Sequence, residues 1–126
     1  MNDSEVLDPA ALERLKEWGG EKLAGQMVRL FLKNSGVRMD QIRTGVVQAD
    51  VDEAERGAHS LKSSAANIGA ERLRTLATQI ESAALRDEPE QLQAILPELE
   101  DAYAMVMSAL EALERALPEQ EGSDEL

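Results

Sequence analysis

Apolar residues recur along most of this chain at alternating steps of three and four, the spacing that places them on one face of an α-helix. The longest run is Leu92, Leu96, Leu99, Tyr103, Val106, Leu110, Leu113 and Leu117, which alternates four and three without an error. That is a bundle seam in heptad register. Pro97 lies inside it; because the register passes through unbroken, a kink is predicted there rather than a stop. Upstream, Leu73, Leu76, Ala77, Ile80 and Ala84 predict a helix from Ala70 to about Arg86, after which "RDEPE" turns the chain. Ala54, Gly57, Ala58, Leu61, Ser64, Ala65 and Ile68 predict another, opened by Asp50 with Glu53 in a capping-box-like pair and closed at Gly69. Before it, Leu23, Met27, Leu30 and Phe31, then Met39, Ile42, Val46 and Ala49, read as one long helix. Its phase adjusts near Ser35-Gly36, where a break is the alternative. Asp8-Pro9 supplies an N-cap and first helical position for a short helix to about Trp18, with Leu12 and Leu15 inward and Gly19-Gly20 ending it.

No strand pattern competes. The expected fold is all-α: an up-down-up-down four-helix bundle with a short additional N-terminal helix, spanning residues 8–117. Residues 1–7 are expected to be a flexible N-terminus and residues 118–126 an acidic disordered tail. Trp18, Phe31 and Tyr103 are the whole aromatic set, so the core rests on aliphatic residues and close helix packing. The absence of cysteine removes disulfides and thiolate metal sites. The acidic start lacks the pattern of a signal peptide, and no apolar run approaches spanning length, so a cytoplasmic protein is expected. Thirteen basic residues against twenty-five acidic give a net charge of −12, which argues against nucleic acid and membrane surfaces as partners.

His59 is the only histidine. With about 100° between successive helical residues, it falls nearly opposite the stripe through Leu61 and Ile68 and is expected to face solvent. Asp52, Glu55 and Arg56 precede it on the same face, and Lys62, Ser63 and Ala66 follow. Lys62 lies one turn away, within reach of a charge on the imidazole. Ser63 and Ala66 are small and leave the ring clear. The buried side of this helix is lean, and Gly57 costs about 1 kcal/mol relative to alanine, so a neighbouring helix is expected to approach closely. On these features alone, an ordinary surface histidine is the leading account of the residue.

The stretch "AHSLKSSAANIGA" resembles the signature of the histidine-containing phosphotransfer (HPt) domains of two-component phosphorelays. Their usual pattern is His-x-Leu-Lys-Gly-Ser, a few small residues, an aliphatic, Gly and Ala; His59, Leu61, Lys62, Ser64, Ile68, Gly69 and Ala70 match it. The resemblance extends to "RLFL" (Arg29 to Leu32), "QAD" (Gln48 to Asp50) and "QIESA", where Ile80-Glu81 is similar to the family's aliphatic-Glu pair. It covers roughly Asp8 to Leu113. Ser63 departs from it, standing where a glycine is usual.

The resemblance implies that His59 accepts a phosphoryl group and exchanges it with the aspartate of a response-regulator receiver domain. A hybrid sensor histidine kinase is a further implied partner. Neutral imidazole is a competent nucleophile near neutral pH. Lys62 would steady the phosphoryl oxygens and Ser63 could donate a hydrogen bond, with Arg56 and Ala66 in the docking surface. No nucleotide-binding motif is present, so a phosphocarrier without autokinase activity is expected. No cofactor or metal is expected in this chain; the divalent ion of the transfer would come from the receiver. A monomer is expected. The alternative is an HPt-like interaction module that binds a receiver or kinase without phosphotransfer. A di-iron carboxylate bundle is rejected, because it needs two Glu-x-x-His motifs and there is one histidine.

Overall fold

The periodic segments fold as helices in the structure, a computed structural model that describes residues 6–116. In chain order these are α1 (Pro9–Val47), α2 (Val51–Asn67), α3 (Glu71–Leu85) and α4 (Pro89–Ala116). Among the described residues there is no strand. Each helix packs on the next and α4 returns against α1, which closes an up-down-up-down bundle.

The predicted short N-terminal helix is the first part of α1. Asp8 caps it, its Oδ1 accepting from the Ala10 N–H at 3.0 Å, with Pro9 in the first position. Gly19 and Gly20 then leave helical geometry, Gly20 with φ at +72°, and a new helical segment starts beyond them. Ser35-Gly36 lies in uninterrupted helix. The Asp50 carboxylate accepts from the Glu53 N–H at 3.2 Å and starts α2. The chain leaves α2 through Gly69, at φ +78°. The last helix runs through Pro97 without stopping.

The core is aliphatic. Met39, Ile42, Leu61, Leu73, Ile80, Leu92, Leu99 and Leu110 are fully buried. Each such side chain contributes about 1.5–3 kcal/mol of burial energy. Between α1 and α4 there are polar clamps as well. The Arg43 guanidinium holds the Glu100 carboxylate through Nε and Nη2, both at 2.7 Å, and the Ser35 and Tyr103 hydroxyls are 2.9 Å apart.

Leu30, Ala49, Leu12, Val6 and Leu7 lie elsewhere than the sequence pattern predicts. Leu30, expected inward, is 50% exposed, because the inward stripe of α1 runs through Ala24, Val28, Phe31, Ser35, Met39 and Ile42. Ala49 sits exposed in the turn after α1, at φ +54°, rather than on the stripe. In the short helix Ala11 is buried with Leu15, and Leu12 is half-buried. Val6 and Leu7 were assigned to a flexible N-terminus but are 8% and 6% exposed and belong to the core. The Asp8 N–H donates to the Gly69 carbonyl at 2.8 Å, which pins this segment across the α2–α3 turn. The remaining residues assigned to the flexible N-terminus, Leu117 of the seam and the acidic tail lie outside the described residues.

Candidate functional site

The site is built on the outer face of α2. Leu61 is fully buried and the His59 side chain is 61% exposed, so the predicted phasing of this helix holds. The lean inner face lets α1 approach. A Cβ on Gly57 would lie 2.8 Å from the Arg38 carbonyl oxygen and 2.9 Å from the Gln41 Cβ, so only glycine fits this contact.

From the other side, α3 brings Glu81 against the histidine. Glu81 Oε2 is 2.7 Å from His59 Nδ1, and its Oε1 is 2.7 Å from Lys62 Nζ. One carboxylate, 12% exposed, thus joins the imidazole to the ammonium. Burial pushes the Glu81 pKa up, but the hydrogen bonds from Lys62 and His59 outweigh it and hold the group below its ordinary value. The carboxylate is therefore ionised near neutral pH and can only accept hydrogen bonds. Nδ1 must then carry the ring proton of the neutral imidazole. Nε2 is left with the lone pair, on an exposed ring.

Of the other residues singled out in the sequence, Lys62 is half-buried and engaged by Glu81. Ser63 is exposed, its hydroxyl turned back toward the His59 carbonyl oxygen at 3.5 Å. Arg56 turns along its own helix to Glu53, at 2.7 Å, and Ala66 is exposed. On the side away from Glu81, His59 borders a cleft between α1 and α2. Met27, Leu30, Phe31 and Arg38 line it from α1, and Ser60 and Ser63 from α2. Glu55, one helical turn before His59, forms with His59 and Glu81 a group whose ligand atoms lie within 4.8 Å of one another.

Glu81 was not chosen as a site residue from the sequence. Its one signal was its place in "QIESA". A carboxylate 22 positions away on another helix has no spacing relation to His59 that periodicity detects.

The site is thus an exposed imidazole with one nitrogen held by a largely covered carboxylate, on the flank of an all-α bundle. The Hpt domain family matches residues 26–116, and the chain belongs to that family, the histidine phosphotransfer proteins of two-component systems. Hpt proteins are phosphocarriers that interact with response regulators and kinases. The fold is similar to that of histidine-containing phosphotransfer protein B (HptB) from Pseudomonas aeruginosa PAO1, with a TM-score of 0.83 and 23% sequence identity over 90% of this chain and 97% of that one. No curated protein matches the sequence. Among the described residues, no helix is long and apolar enough to cross a membrane.

Proposed function

We propose that His59 is the phosphoryl acceptor, that it takes the group on Nε2, and that it exchanges it with the aspartate of a receiver domain. The observation that carries this reading is the 2.7 Å contact between His59 Nδ1 and Glu81. In the accepting direction, the Nε2 lone pair forms a bond to phosphorus while the bond from phosphorus to the aspartyl oxygen breaks, and the receiver's carboxylate leaves. The Nδ1 proton stays in place, so the phosphorylated ring gains positive charge. Glu81 lies where that charge develops and stabilises it in a poorly hydrated setting.

Lys62 keeps Glu81 ionised and oriented, and its ammonium lies close enough to attract phosphoryl oxygens. The ion that in-line transfer requires comes from the receiver. The receiver covers the α1–α2 cleft, where Met27 and the half-exposed Leu30 offer apolar contact beside the ring. Arg56 and Ala66 flank that contact. We place this monomeric carrier in the cytoplasm with its receiver and kinase.

The test pairs two variants in α2, assayed with a phosphorylated receiver and by chemical denaturation. His59→Gln keeps an amide donor for Glu81 and should change unfolding free energy by no more than about 0.5 kcal/mol, while transfer vanishes. Leu61→Ala should cost about 2–5 kcal/mol. Transfer that survives His59→Gln, or a His59→Gln penalty as large as that of Leu61→Ala, would sink the assignment.

A further inference from the structure

The same imidazole has a further neighbour that phosphotransfer does not use, Glu55. Glu55 precedes His59 by four residues, which puts the two side chains one above the other on α2. Glu81 comes in from α3. One ligand atom from each of the three lies within 4.8 Å of the others. A tetrahedral zinc ion holds nitrogen and oxygen ligands at about 2.0–2.2 Å, which places them about 3.3 Å apart. Closing from within 4.8 Å to that separation requires Glu55 and the exposed His59 ring to rotate. One imidazole and two carboxylates leave a fourth position for water, the donor set that suits zinc better than magnesium.

We propose that Glu55, His59 and Glu81 form a divalent transition-metal site, suited to zinc, whose occupation removes the phosphoryl acceptor. The inhibitory consequence rests on the phosphocarrier reading; the binding itself does not. Neutral imidazole has one lone pair outside its ring π-system. A metal on Nε2 blocks the attacking atom directly. A metal on Nδ1 leaves the ring proton on Nε2, which then has no lone pair to offer. Either geometry gives the same outcome with no net loss of a proton. Glu81 Oε2 faces the imidazole while Oε1 holds Lys62, so one carboxylate oxygen can serve the ion with the Lys62 contact kept. Glu55 has no place in the transfer step, so it separates the two activities.

The experiment titrates zinc chloride into the full chain, stripped of metal, and follows the ring resonances of the single histidine. One zinc per chain should shift them saturably, and magnesium at the same concentration should not. Glu55→Gln should weaken zinc binding at least about tenfold. In the absence of zinc it should accept phosphate from a receiver as the wild type does. Zinc should slow acceptance by the wild type much more than by Glu55→Gln, and a chelator should reverse the effect. Ring resonances unmoved by millimolar zinc in a chain that accepts phosphate would overturn the site, as would Glu55→Gln binding zinc as tightly as the wild type. A chain that binds zinc but accepts no phosphate would retain the metal site and remove the phosphocarrier reading.

Discussion

In the proposed transfer, Glu81 is the residue on which the chemistry of His59 turns, and its roles in stability and in transfer separate by pH and by substitution. Its pKa in the folded protein lies below the ordinary value of 4.5. A depressed carboxylate contributes stability that is fully present above the unfolded pKa and is lost as pH falls toward and through the folded one. Glu81→Gln removes that titration. The difference in unfolding free energy between wild type and Glu81→Gln should therefore fall as pH is lowered below about 4.5. Denaturation series at several pH values check this, and a difference that does not vary across the acidic range would mean that Glu81 is not held ionised by its partners. The same variant still places a carbonyl oxygen near Nδ1 but lacks the charge that offsets the phosphorylated ring. Its transfer rate should fall by an amount comparable to loss of one positioned electrostatic group, about 2–4 kcal/mol at most.

At the level of the helices, α2 is held against α1 by what it lacks. Gly57→Ala inserts a methyl group 2.8 Å from the Arg38 backbone oxygen, and a backbone atom yields poorly. Overpacking of this kind costs about 1–3 kcal/mol, which exceeds the roughly 1 kcal/mol that alanine gains in a helix. Gly36→Ala meets only the Tyr103 hydroxyl, at 3.9 Å, so there the gain should stand. Opposite signs for the two substitutions in one denaturation experiment are expected; a stabilising Gly57→Ala would remove the close approach from the account of this site. Helices and their order were legible because period, caps and breakers coincide: Asp8-Pro9, Gly19-Gly20, Asp50 and Gly69 each act where the pattern changes. The face of α1 was less legible. Its inward positions include Ala24, Val28 and Ser35, weak hydrophobic signals that the larger Leu23, Met27 and Leu30 mask. Val6 and Leu7 were missed for a related reason, since a short apolar pair has no period; burial in the core places it, next to Asp8, whose N–H donates to the Gly69 carbonyl. In the site, His59 and Lys62 were legible because they share one helix. Glu81 reaches them only through the packing of α3.

The whole molecule carries a net charge of −12, and among its 126 residues there is no glycine-rich phosphate loop of the nucleotide-binding kinds. An anionic nucleotide is repelled by such a chain unless a concentrated basic pocket receives it. Around His59 the cations are committed: Lys62 to Glu81, and Arg56 to Glu53. The α1–α2 cleft beside the ring is lined by Met27, Leu30, Phe31, Arg38 and small polar residues, a surface better suited to a protein face than to a triphosphate. On the phosphocarrier proposal, phosphate arrives already attached to a partner that brings its own divalent ion. Incubated alone with labelled ATP and magnesium, the chain should stay unlabelled over times in which a phosphorylated receiver or its cognate kinase labels it fully. The label should resist alkali and be released by acid, as a phosphoramidate bond to imidazole requires. Incorporation from ATP alone at a comparable rate would show that the molecule activates nucleotide phosphate itself, and the division of labour between carrier and partner would have to be abandoned.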